Sequence, residues 1–147
     1  MPELSTLNPE NCACFNVRKT ARVLTQEYDQ FITPSGLKTT QFSALAVIDR
    51  LGPVMMTDLA RAMEIERTSL TRNLKLIEQD GFITTRPGED ARSRIVEITG
   101  AGREKLKEAQ VLWKNIQSRI VGNFGEKRFA FLQDELAALR SIVQSAK

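Results

Sequence analysis

The spacing of residues 54–99 constrains this chain more than any other feature. Two short helical patterns, over residues 57–63 and 67–79, are separated only by Glu64, Ile65 and Glu66, and a strand–turn–strand pattern follows at once. In the first pattern Leu59, Ala60 and Met63 form an inward face. Thr57 is placed as its N-cap, and Asp58 lies in the first turn, where the helix dipole favours a negative charge. In the second pattern Leu70, Leu74 and Ile77 recur at intervals of four and three, which lines one helix face with apolar groups. Ile65 is expected to plug the turn between the two. Gly81 is placed to end the second helix by adopting a positive φ. Residues 82–86 and 94–98 are rich in β-branched side chains and flank Pro87 and Gly88, the pattern of a hairpin with a long loop. Val54 and Met55 read as a brief strand able to pair with that hairpin.

The polar side of this unit carries its chemistry. The first turns of the second helix hold Arg67, Thr68, Ser69, Thr71, Arg72 and Lys75, away from the apolar stripe or beside it. The hairpin tip adds Arg86, Arg92 and Arg94. A short helix bearing hydroxyl, guanidinium and ammonium groups suits the width and acceptor chemistry of the major groove of double-stranded DNA. A basic loop beside it can reach phosphates or the minor groove. The pattern points to the reading of a DNA site.

Bulk charge is a weaker guide. The net charge is +3, but residues 57–94 hold seven basic and seven acidic groups and are formally neutral. Residues 99–147 hold nine basic and five acidic groups. DNA binding therefore requires the charges of the reading unit to be segregated by face. Glu64, Glu66, Glu78 and Asp80 should point away from the duplex or pair with neighbours.

Composition excludes several classes. A chain of 147 residues with 41% apolar content reads as one domain able to bury its own core. There is no histidine and there are only two cysteines, Cys12 and Cys14, too few to close a tetrahedral metal site. No metal or cofactor is expected. The lack of histidine also removes the commonest general acid–base catalyst, and no phosphate-binding loop is present, so an enzyme is not expected. No apolar run is long enough to span a membrane, and residues 1–14 lack the pattern of a secretory signal, which together imply a cytoplasmic protein. Residues 1–11 are polar with two prolines and read as a mobile arm.

Three helical seams flank the reading unit. Cys14, Val17, Ala21, Leu24, Tyr28 and Phe31 line the first, which Pro34, Ser35 and Gly36 end. Leu106, Ala109, Trp113, Ile116 and Ile120 line the second, capped by Thr99 and broken by Gly122 and Gly125. Phe129, Leu132, Leu136, Leu139 and Val143 line the third. A further helix, with Phe42, Leu45 and Ile48 inward, is expected to be capped by Thr39 or Thr40 and stopped by Gly52 and Pro53. Helices of twenty residues are roughly 30 Å long, more than so small a unit needs as cover. Their surplus apolar faces suit helix–helix packing and imply a homodimer.

Individual residues on these seams are less specific. Trp113 reads as core. Arg18 and Arg22, one turn apart, read as solvated charges or as contacts for an anionic ligand, and Tyr28 could line a pocket near the dimer helices. Cys14 falls on the seam and reads as a small packed side chain, whereas Cys12 reads as exposed. A disulfide between residues at i and i+2 of a helix would be strained, so a redox switch would need a bond between subunits.

The residues also resemble a known family. Residues 59–63 and 68–74 look like the helix-turn-helix of the MarR family of bacterial winged-helix transcriptional regulators. Asp90, Ala91, Arg92, Ser93 and Arg94, followed by Ile98, Thr99 and Gly102, look like its wing and the start of the next helix. The resemblance covers essentially the whole chain and implies a mainly α fold with a small β-hairpin wing. Residues 12–34 and 100–147 would be dimerisation helices, and residues 38–99 the winged helix-turn-helix. It implies a homodimer on a pseudo-palindromic operator, most often a repressor, released by a small phenolic or other anionic effector. By position, Arg92 resembles the wing arginine that enters the minor groove, and Asp90 the acid that braces the wing. Thr68, Ser69, Thr71 and Arg72 sit where the family's recognition helix meets DNA. Glu64 departs from the pattern, because a glycine is common there. A side chain disfavours the left-handed conformation, so a differently built turn is expected. The alternatives to a ligand-responsive repressor are a redox-responsive regulator acting through Cys12 and Cys14, and a winged helix that docks on a protein. The helical pairs and the wing together would need two recognition helices about one helical turn apart, giving a site of about 16 to 20 base pairs.

Overall fold

The computed structural model describes residues 7–147. Helix α1 spans Ala13–Ile32 and α2 spans Thr39–Leu51. A short strand β1, Val54–Met55, leads into α3, Met56–Ala62, and α4, Arg67–Gln79. Strands β2, Ile83–Pro87, and β3, Arg94–Ile98, form the hairpin, and α5, Gly100–Phe124, and α6, Glu126–Ser145, complete the chain. The chain divides into two compact units, the first ending at Trp113 and the second running through Lys114–Lys147.

The first unit is built around one core. Leu45, Ile48, Leu59, Leu70, Ile77 and Val96 have no solvent exposure, and Leu74, Ile83 and Ile98 are almost as deeply buried. Burying each such side chain contributes about 1.5–3 kcal/mol before conformational entropy is set against it. The three apolar positions read from α4 therefore all reach the core, as do the inward positions of α2. Ile65 and Met63 pack against the same core from the turn between α3 and α4. The strands form one antiparallel sheet in the order β1, β3, β2, with Val54 opposite Val96 and Thr85 also opposite Val96. The brief first strand does pair with the hairpin.

Several local expectations are corrected. Thr57 is not the cap of α3: the helix starts one residue earlier, with Met55 in the extended capping position and Asp58 still in the first turn. Neither Thr39 nor Thr40 caps α2. Lys38 occupies that position, and its N–H is satisfied by the Gln41 side chain at 2.9 Å. The N–H of Thr39 donates instead to Asp29 Oδ1 of α1 at 2.7 Å, which ties the two helices together. Gly122 does not break α5, which runs on to Phe124; Gly125, at φ +99°, makes the break. Within the expected N-terminal arm, Pro9–Asn11 form a 3₁₀ turn with Asn8 as its cap, and residues 1–6 lie outside the described residues. Cys14 is exposed within the chain, as is Cys12, because the start of α1 carries no packing partner from the first core.

The turn between α3 and α4 is informative. Glu64 adopts φ +51°, the left-handed conformation that glycine would supply without cost. The turn is therefore built in the usual way and not differently, and the side chain carries about 1–2 kcal/mol of local strain. The buried neighbours on both sides, Leu59, Ala60 and Leu70, hold it there.

Where α5 begins, Thr99 does cap the helix. Its hydroxyl accepts from Gly102 N–H at 3.0 Å and donates to the Gly81 carbonyl at 2.6 Å, so one side chain joins the end of α4 to the start of α5. Gly102 is required by close approach: a Cβ there would lie 2.0 Å from the Phe82 carbonyl oxygen.

The second unit holds the end of α5 and all of α6. No residue of α6 is buried. Phe131, Leu132, Leu139, Ile142 and Val143 are exposed on it. Among the described residues no helix is long and apolar enough to cross a membrane.

Candidate nucleic-acid interface

Helix α4 turns its apolar stripe into the core and leaves the opposite side to solvent. Arg67, Thr68, Thr71, Arg72 and Lys75 are all exposed and line one open groove, with Glu78 at its far end. Ser69 is half-buried and does not line this groove. The helix starts without a side-chain cap, so no side chain takes up its first N–H groups at the end where the dipole favours an anion. The Thr71 hydroxyl donates to the Arg67 carbonyl at 2.9 Å. Its proton is thereby committed, and towards any ligand it acts as an acceptor. Asn73 is half-buried, and its side-chain amide donates to the Thr40 carbonyl at 3.3 Å, which fixes α4 against the start of α2.

The wing tip is built by Asp90. Its carboxylate accepts from the Arg92 N–H at 3.1 Å, and its carbonyl accepts from both the N–H and the hydroxyl of Ser93. The Gly88 N–H donates to the Ser93 carbonyl at 3.0 Å and closes the loop. A Cβ on Gly88 would lie 2.2 Å from Ser93 Oγ, so that hydroxyl would have to turn away from the Asp90 carbonyl to which it donates. This Asx-type turn leaves the Arg92 side chain exposed at the tip.

Helix and wing meet. Arg67 Nη2 donates to the Arg92 carbonyl at 3.3 Å. The arginine that opens α4 and the arginine of the wing tip are thus brought together across 25 residues of sequence. Arg94 and Arg86, by contrast, lie on opposite faces of the hairpin, because alternate residues of a strand point to opposite sides. Arg94 shares the face of Thr85, to which it donates at 2.9 Å, and Thr85 donates in turn to Glu78 Oε1 at 2.6 Å. Arg86 is exposed on the other face.

Several acidic groups in and around the reading unit have partners. Asp58 pairs with Arg61 at 3.2 Å, Asp49 with Arg103 at 3.3 Å, and Glu78 is held by Thr85. The groove thus sets Arg67, Arg72 and Lys75 against Glu78 alone, and the wing tip sets Arg86, Arg92 and Arg94 against Glu89 and Asp90.

A crevice of about 480 Å³ opens between α2 and α5, lined by Phe42, Ser43, Val47, Leu106, Gln110 and Trp113 among others. None of Arg18, Arg22 and Tyr28 lines it. Trp113 packs against the core, with its ring 6.2 Å from that of Phe42. Burial raises the pKa of Tyr28 above its ordinary value.

Sequence reasoning missed two positioning residues, Asn73 and Thr85, while Glu78, expected to point away from the duplex or pair with a neighbour, pairs with Thr85. A signal existed for Thr85: once the hairpin register is set, Arg94 is its diagonal neighbour on the same face, within reach of a long side chain. Asn73 gave none, because its partner lies on another element.

Comparison with known proteins agrees with this geometry. The MarR family model matches residues 35–93. The transcriptional regulator MosR of M. tuberculosis, solved in complex with DNA, is 37% identical, with 93% of this chain and 99% of that chain covered and a TM-score of 0.84. The chain belongs to the MarR family of winged-helix transcriptional regulators. Another relative is the HTH-type transcriptional regulator YwoH of Bacillus subtilis, 24% identical over 76% of this chain and 81% of that protein. The organic hydroperoxide resistance transcriptional regulator of Bacillus subtilis is 29% identical, with 69% of each covered. In MarR-family terms α4 is the recognition helix and the β2–β3 hairpin is the wing.

Proposed function

We propose that two copies of this chain bind a pseudo-palindromic operator, with α4 of each in a major groove and each wing tip in the adjacent minor groove. The observation that carries this reading is the groove of Arg67, Thr68, Thr71, Arg72 and Lys75 beside an exposed Arg92, joined by the Arg67–Arg92 contact. Arg72 and Thr68 are the side chains set to meet base edges, whereas Lys75 and the first N–H groups of α4 suit phosphates. Arg92 extends into the narrow groove, where the negative potential is concentrated. The relative MosR supports this reading, since its solved complex contains DNA.

The dimer would form through the terminal helices, residues 12–34 and 100–147, on which the chain itself leaves Val23, Leu24, Phe131 and Ile142 among others exposed. A dimer seated on a promoter would block transcription. A small phenolic effector would enter the crevice beside Trp113 and Phe42, which has the size and apolar lining of a small-molecule site. Its anionic group would require a cation from outside that lining, which leaves Arg18 and Arg22 as candidates only in the dimer.

The test is selection of duplexes by the full chain from a random library, followed by salt titration. A palindromic consensus of about 16 to 20 base pairs and an affinity falling steeply with salt are expected. No binding to any duplex at low salt would favour the protein-docking alternative.

A redox-responsive variant of this reading is favoured by one specific observation: Cys12 and Cys14 are both exposed, and one relative is a regulator of organic hydroperoxide resistance. Mass spectrometry after mild peroxide, with operator affinity measured on the same sample, decides it. Oxidation at either cysteine that leaves affinity unchanged rejects it.

A further inference from the structure

The groove contains one feature that DNA binding alone does not explain. Glu78 is a carboxylate at the end of a surface otherwise made of Arg67, Thr68, Thr71, Arg72 and Lys75. Left bare, it would repel a phosphate. It is not bare: the Thr85 hydroxyl donates to it at 2.6 Å and accepts from Arg94 Nη2 at 2.9 Å. A guanidinium, a hydroxyl and a carboxylate stand in line, and each bond has one charged partner, which makes both stronger than neutral bonds and mutually reinforcing. The three residues come from three elements, α4, β2 and β3.

At the other end of α4, Arg67 holds the wing-tip carbonyl of Arg92 at 3.3 Å. The hairpin is therefore attached to the recognition helix twice. One pin is at the helix N-terminus and the wing tip, and the other is at the helix C-terminal end and the wing strands. A hairpin fixed only by its buried base residues would be free to swing.

Resting on the DNA-binding reading above, we propose that Glu78, Thr85 and Arg94 are positioning residues that lock the wing to α4, so that helix and wing tip address DNA as one rigid piece. Arg94 thereby acts through the wing and not as a phosphate contact. The offset between the major-groove and minor-groove contacts is set before binding, and the cost of ordering the wing is not met at the moment of association. Thr85 is the key of this lock, because its one hydroxyl both accepts from Arg94 and donates to Glu78. Valine has its shape and keeps the strand preference but offers neither bond.

The test compares Thr85→Val with Thr85→Ser in the full chain, by two measurements. The first is amide hydrogen exchange at residues 86–94 without DNA, referred to the core amides of α4. Thr85→Val should exchange about fivefold faster in the wing, and Thr85→Ser should match the parent, given the usual worth of a hydrogen bond to a charged group at an exposed site. The second is affinity for the duplex that the parent selects from a random library, measured against salt. Thr85→Val should bind about fivefold more weakly with the parent's salt slope, whereas Arg92→Ala should lose about one unit of slope, because a cation seated in the groove between the phosphate rows displaces a counterion. Parent-like wing exchange in Thr85→Val overturns the proposal. So does parent-like affinity, or a slope reduced as in Arg92→Ala. If the parent binds no duplex at low salt, the DNA-binding reading fails by itself, and the exchange measurement still decides whether the lock exists.

Discussion

Helices α4 and α6 are both amphipathic, and they treat their apolar side chains in opposite ways. Leu70, Leu74 and Ile77 of α4 are buried in the first core, while its polar side is exposed. In α6 nothing is buried, and Phe131 and Ile142 keep 66% and 68% of their surface in contact with water. The chain completes the packing of α4 by itself and leaves that of α6 unfinished. Exposed apolar side chains gathered on one side of a helix are the ordinary mark of an association surface. Under the proposed function α4 would meet DNA and α6 a second copy of the chain, so that one face would supply chemistry and the other valency.

The most severe way to break that contrast is to charge the open face of α6. The paired change Phe131→Asp and Ile142→Asp should leave the first unit folded and remove the dimer. Operator affinity should fall by about 10²–10⁴, the usual gain from tethering two binding modules. Circular dichroism and gel shift on the same protein check both halves of this expectation. A full-affinity double variant would mean that α6 does not supply the valency.

The matching change on the other helix is Leu70→Ala. It should cost about 2–5 kcal/mol in urea unfolding, because a fully buried leucine leaves a cavity. If Leu70→Ala and the α6 pair gave the same loss of monomer stability, the difference drawn between the two helices would be unsupported.

Arg92→Ala sharpens the chemical side. Melting temperature should stay within a degree or two, since the side chain is exposed, while operator affinity should fall about tenfold, as for the loss of one good groove contact. Calorimetry and salt-titrated gel shift report the two effects separately.

The smallest effect concerns Tyr28, on α1. Burial raises its pKa above 10.0, because the ionised phenol is disfavoured there. The folded state therefore holds the proton more tightly than the unfolded chain does. Its contribution is fully present below the unfolded pKa and is lost as pH rises through the folded one, so stability should decline above about pH 10. Tyr28→Phe should weaken that alkaline decline without altering stability near neutral pH. Chemical unfolding of both proteins between neutral and alkaline pH measures the difference.

How much of this was legible in the sequence depended on the kind of force involved. The stripe of Leu70, Leu74 and Ile77 could be read because burial imposes a period, and the structure buries all three. Gly81 and Gly36 were legible as helix ends because positive φ favours glycine, and both adopt it. Glu64 misled for the same reason: the local preference against a left-handed side chain was real, but the core on either side overrode it. The cap at Thr39 failed because its own N–H is taken by Asp29 of α1, a tertiary partner, while Gln41 satisfies Lys38 one residue earlier. On α6 the narrow 3–4 seam omitted Phe131 and Ile142, which lie three turns apart on one side of the helix and widen the apolar face. For the candidate site, the groove residues were legible from helix geometry and Arg92 from the hairpin tip. The link from Arg67 to Arg92 and the Glu78–Thr85–Arg94 line were not, because each joins elements whose approach no local pattern records.

Sedimentation equilibrium of the full chain mixed with its selected duplex is the most direct test of the central claim, that a pair of chains presents two α4 helices to one DNA site. Two chains per duplex, with a dimer persisting when DNA is absent, is the expected result. One chain per duplex at full affinity, or a free chain that stays monomeric at every concentration, would contradict it.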